Sequence, residues 1–132
     1  MKKYTFTVVL IGIVLIGWQL IEKKSPHQPI EKEQISGVFL WTEASDIKPV
    51  SKEDYSSVVD LFNEYDSDRV NQVEFPLQSN AKLIIDLNTA KTITISYFDG
   101  KIYVNRIDVD NGEYVFLDNA NELEGFFKQL LE

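Results

Sequence analysis

Residues 92–105 read TITISYFDGKIYVN, and this stretch decides the fold. Ile93, Ile95 and Tyr97 alternate with Thr92, Thr94 and Ser96, and Ile102 and Val104 alternate with Tyr103 and Asn105. A period of two is the mark of a strand with one apolar and one polar face. Between the two runs stands Asp99-Gly100, a pair suited to a two-residue type I′ turn because both central residues must take positive φ. The turn fixes the register: Tyr97 faces Ile102, Ile95 faces Val104, Ser96 faces Tyr103 and Thr94 faces Asn105.

The same reading extends outward. Leu83, Ile85 and Leu87 alternate before this hairpin, and Tyr114 and Phe116 alternate after it. Asn111-Gly112 has the composition of a second two-residue turn, which would set Val109 opposite Tyr114 and Ile107 opposite Phe116. Ile102 and Val104 are even while Ile107 and Val109 are odd, so keeping all four on the core face calls for a β-bulge near Asn105 or Arg106. Upstream, Ile35 to Thr42 forms an apolar first strand in which Trp41 reads either as core or as a surface anchor. A polar loop with Pro49 follows it. Ser51 to Asp54 has the form of a capping box, with Tyr55, Val58, Val59 and Phe62 on one helical stripe. Residues 66 to 80 hold at most a short edge strand. Asn119 and Glu122 open a last helix whose stripe is Leu123, Phe126, Phe127, Leu130 and Leu131. The expected fold is α+β: an antiparallel sheet of four to six strands, ending in a meander, with two amphipathic helices packed on one face.

The amino terminus has a different character. Lys2 and Lys3 precede an uncharged run from Tyr4 to Ile21, closed by Glu22, Lys23 and Lys24. As a helix, 18 residues span roughly 27 Å, which just crosses the hydrocarbon core of a bilayer. No pair of small residues two apart marks a cleavage site, so residues 1–21 are expected to remain as a membrane anchor, with the amino terminus inside. Residues 22–34, polar and containing Pro26 and Pro29, read as a tether of up to roughly 40 Å. Residues 35–132 form one extracytoplasmic domain.

The charge splits at the same place. Lys2, Lys3, Lys23 and Lys24 against Glu22 leave residues 1–30 at +3, so the −8 of the whole chain puts the remainder at −11. An acidic domain repels phosphate backbones, which argues against a nucleic acid partner. The chain has no cysteine, hence no disulfide and no thioether-linked lipid.

Candidate chemistry is sparse. The single histidine, His27, falls in the expected tether, where nothing would position it for catalysis or metal binding. No phosphate-cradling glycine loop is present, and no cofactor is expected. Asp108, Asp110 and Glu113 flank Asn111-Gly112 but fail the ligand spacing of a calcium loop. Glu64, Asp66 and Asp68 remain as a loosely spaced candidate for a hard cation. The polar face of the meander is the better candidate for binding, through Thr94, Ser96, Tyr103 and Asn105. No catalytic constellation emerges.

In layout, with a basic head, one retained apolar helix, a short proline-containing tether and a cysteine-free acidic domain, the chain resembles small uncharacterised single-pass membrane-anchored proteins exported by Gram-positive bacteria. The resemblance implies a location at the cell membrane. Two readings follow from the residues: a noncatalytic binding or accessory module for a protein, peptide or cell-wall partner, and a self-protection (immunity) or inhibitor protein whose acidic surface meets a basic partner.

Overall fold

The structure, a computed structural model, describes residues 25–117 and 121–131. The expected membrane helix and the Asn119 cap lie outside these residues. Among the described residues, no helix is long and apolar enough to cross a membrane.

The described residues form seven strands and two α-helices: β1 (Ile35–Thr42), β2 (Ser45–Pro49), α1 (Lys52–Glu64), β3 (Val70–Gln72), β4 (Ala81–Leu87), β5 (Thr92–Phe98), β6 (Lys101–Arg106), β7 (Glu113–Phe116) and α2 (Asn121–Leu131). All pairings are antiparallel, in one sheet ordered β2-β1-β4-β5-β6-β7-β3. The α+β class holds, with one strand more than the upper expectation. The addition is β2, an exposed edge strand in what reads as a polar loop.

The alternating residues of β4, β5 and β6 meet the helices in a single core. Leu83, Ile85, Ile95 and Val104 are wholly buried together with Val59 and Phe62 of α1 and Phe127 of α2. Tyr97 stacks on Phe127 at 5.8 Å. Ser51 caps α1, its hydroxyl accepting from the Asp54 amide at 3.3 Å, and Glu53 and Asp54 place negative charge at the positive end of the helix dipole.

The β5–β6 hairpin has the expected register, with Asp99 at φ 51° and Gly100 at φ 74°. The next connection does not. β6 ends at Arg106, and Val104 rather than Val109 pairs with Tyr114, while Tyr103 pairs with Val115. Residues 107–112 form a loop, so the bulge expected at Asn105 or Arg106 is not needed. The physical reason is that Ile107 does not enter the core; it is 63% exposed. Arg106 is buried in its stead and paired with Asp108 at 2.8 Å.

The expected tether is also corrected. From Ser25 onward it is packed on the domain: His27 is 3% exposed and Ile30 4%. Asn63 holds Ile30 at both backbone groups, accepting from its amide at 2.7 Å and donating to its carbonyl at 3.0 Å.

One connection has a forced route. Val73 still bonds to Glu113 at the β3 edge, while Asn80 bonds to Tyr97 beside the start of β4. Four strand spacings separate these places, about 19 Å sideways alone, and seven Cα steps reach at most about 25 Å. Residues 73–80 must therefore run almost straight across a face of the sheet. The helices occupy one face, and the half-buried Val73 and Phe75 take no part in the core they cover. The strap crosses the other.

Candidate functional site

The helix-free face is laid out by strand register. Residues paired across neighbouring strands point the same way. One row therefore runs Phe39, Ile84, Thr94, Asn105 and Glu113, and the next runs Trp41, Lys82, Ser96, Tyr103, Val115 and Asn71. The four residues singled out in the sequence, Thr94, Ser96, Tyr103 and Asn105, do share this face as two cross-strand pairs.

They are not equally available. Thr94, Tyr103 and Asn105 are half-buried, but Ser96 is wholly buried, and Val115 in its row is only 9% exposed. On a face without helices such burial needs another cover, and the strap supplies it. The Ser96 hydroxyl has no hydrogen-bond partner, nor does that of Ser79 at the end of the strap. Ser96 is thus removed from direct contact with a ligand.

The other half of the face holds residues that alternation alone did not assign to it. Phe39, Trp41 and Ile84 are half-exposed side by side, and the Lys82 ammonium lies 5.5 Å from the centre of the Trp41 ring. Trp41 is therefore a surface residue. The sequence signal was the apolar character of both parities in β1, which a strand shows when its second face is also in use. At the margin, Thr92 donates to the Asp86 carboxylate at 3.2 Å. This surface offers aromatic rings, hydroxyls and an amide in a flat array, suited to recognition by contact and hydrogen bonding.

The carboxylates serve local structure. Asp66 accepts from the Asp68 amide at 3.0 Å and lies 3.9 Å from Arg69. Glu64, Asp66 and Asp68 do not converge, and among the described residues no group of three or more His, Asp or Glu is placed to hold a metal ion.

His27 is the residue that sequence reasoning misplaced. Its Nδ1 lies 2.9 Å from the Tyr114 hydroxyl, and its ring meets Phe62, Tyr65, Tyr114 and Phe116 edge-on at 4.6 to 5.8 Å. Nε2 is buried without a hydrogen-bond partner. Burial, helped by the nearby Arg106 guanidinium, lowers the His27 pKa to about 4, against a weaker pull from the Phe62 and Tyr65 carbonyls at the end of α1. The ring is neutral at neutral pH, with no nitrogen open to a substrate. Burial likewise raises the pKa of Tyr114, so its phenol keeps its proton.

No protein-family model and no curated protein matches this sequence. Among solved structures, the chain is similar to one described as "Putative Lipoprotein from Clostridium perfringens", at 25% identity and a TM-score of 0.51, over 74% of this chain and 87% of that one.

Proposed function

We propose that this protein is a membrane-tethered, extracytoplasmic, noncatalytic binding module that meets a protein, peptide or cell-wall partner through the uncovered half of its helix-free sheet face. The observation that carries the reading is the row Phe39, Ile84, Thr94 and Asn105, four adjacent strands with half-exposed side chains and no helix over them. The likeness to the Clostridium perfringens protein supports export and attachment to a membrane. The enclosure of the only imidazole supports a noncatalytic role.

The test is crosslinking in intact membranes, with a photoreactive residue at Trp41 or Thr94 and, as control, at Asp60 on α1. Capture from the sheet positions and not from Asp60 is the expected result; equal capture, or capture from Asp60 alone, overturns it. Protease added to intact cells should digest the domain, and protection would refute the extracytoplasmic placement.

The −11 of residues 31–132 keeps the inhibitor reading in view. Ionic strength separates the two. An acidic decoy loses its basic partner steeply as salt rises, whereas binding through Phe39, Trp41 and Thr94 holds.

A further inference from the structure

Residues 25–34 contain one 3-10 turn and no strand or α-helix, yet they are fastened along their whole length. The Ser25 hydroxyl donates to the Ser67 carbonyl at 2.6 Å, Arg106 donates to the Gln28 carbonyl, Asn63 holds Ile30, and the Asn88 amide donates to the Gln34 carbonyl at 2.7 Å. His27 plugs into the four-ring cage between the end of α1 and β7.

This fastening changes the distance between the domain and the apolar run that ends at Ile21. Four Cα steps from Ile21 to Ser25 span at most about 14 Å, whereas 14 free steps to Ile35 would reach about 50 Å. It also places the chain's entry into the domain at one edge of the sheet. Ser25 and His27 attach near the β7–β3 edge, and the strand order puts β2 at the opposite edge, six spacings or about 29 Å away.

We propose that residues 25–34 are a clasp that stands the sheet on the membrane, β3 edge inward and β2 outermost, and that protonation of His27 opens the clasp and lets the domain rise. The membrane half of this inference rests on residues 4–21 being a retained anchor. The groups around the ring are Tyr114 from β7, Arg106 from β6 with Asp108 of the next loop, and from α1 the Tyr65 side chain and the Phe62 and Tyr65 carbonyls. An imidazolium there loses its water and gains the Arg106 cation as a neighbour, and the carbonyls do not make up the loss.

The sign follows from linkage. The docked ring, at about 4, binds a proton less readily than a free histidine at 6.5, so the clasp is at full strength above pH 6.5. It weakens tenfold per pH unit below that and levels off near pH 4, about 300-fold weaker in all.

Hydrogen exchange on the full chain in lipid nanodiscs tests the clasp. After correction for intrinsic rates, the Ile30 amide should exchange about 60-fold faster at pH 4.5 than at pH 7, while the Ile95 and Val104 amides keep their protection. His27→Phe keeps a ring in the cage without a titrating proton and should abolish the step. Asn63→Ala should open the clasp at pH 7 and reproduce the acid state even if the phenylalanine variant folds poorly. The clasp is refuted by pH-independent exchange at Ile30, by an unchanged step in His27→Phe, or by Ile30 and the sheet amides exchanging together. Energy transfer from a dye on Ile47→Cys in β2 to labelled lipid should fall with the same pH dependence. An open clasp with no change in that distance overturns the membrane geometry and the anchor with it, and leaves the binding face to its own crosslinking test.

Discussion

Asp99-Gly100 and Asn111-Gly112 look alike in the sequence and do different work in the fold. In the first, both residues take positive φ, the two strands join directly, and a Cβ on Gly100 would meet nothing within 4 Å. In the second, only Asn111 has positive φ, and the glycine is needed for closeness: a Cβ on Gly112 would lie 2.0 Å from the Arg106 carbonyl oxygen. That approach belongs to a six-residue loop wrapped around a buried ion pair, in which the Arg106 side chain is 3% exposed and bonded to both Asp108 carboxylate oxygens. A turn dipeptide reports local backbone freedom. Which residues it joins in register depends on which side chains the core accepts, and here the core stops at Val104 and takes an arginine next.

Substitutions can break or sharpen this contrast. Asp108→Ala takes both carboxylate bonds from a buried guanidinium, and should cost about 3 kcal/mol in urea unfolding. Gly112→Ala forces its methyl into the Arg106 backbone and should cost about 2 kcal/mol or more by the same measurement. Gly100→Ala pays only for a left-handed backbone in open space, about 1 kcal/mol. Asp99→Asn retains a residue that accepts positive φ and should fall within about 0.5 kcal/mol of zero. If Gly100→Ala proves as damaging as Gly112→Ala, the two turns are equivalent after all and the distinction fails.

What was legible in the sequence was what neighbouring residues decide. The β5–β6 register followed from alternation plus one turn, and with it the pairing of Thr94 with Asn105 and of Ser96 with Tyr103. The α1 cap and stripe followed from spacing, and Val58, Val59 and Phe62 are buried accordingly. What was illegible depended on distant partners. β2 is exposed almost throughout and is a strand only because β1 offers an edge. His27 looked like tether because Pro26 and Pro29 flank it, while the rings that enclose it come from positions 62, 65, 114 and 116. The loss of Ser96 from the candidate site followed from sheet order, since only a chain that must travel from β3 to β4 passes over it.

The sheet order also bears on how the protein is made. β1 is synthesised early, but its partner β4 emerges about 40 residues later, and β3 waits for β7 over a similar interval. The stretch that closes on itself fastest is β4 to β7, whose links are short and whose loop-closure cost is low. Assembly should run backward along the chain, with the last-made strands forming a template that recruits the first-made ones. Until residue 116 has left the ribosome β3 has nothing to join, and a nascent chain shortened before that point would hold an incomplete sheet with unpaired edges.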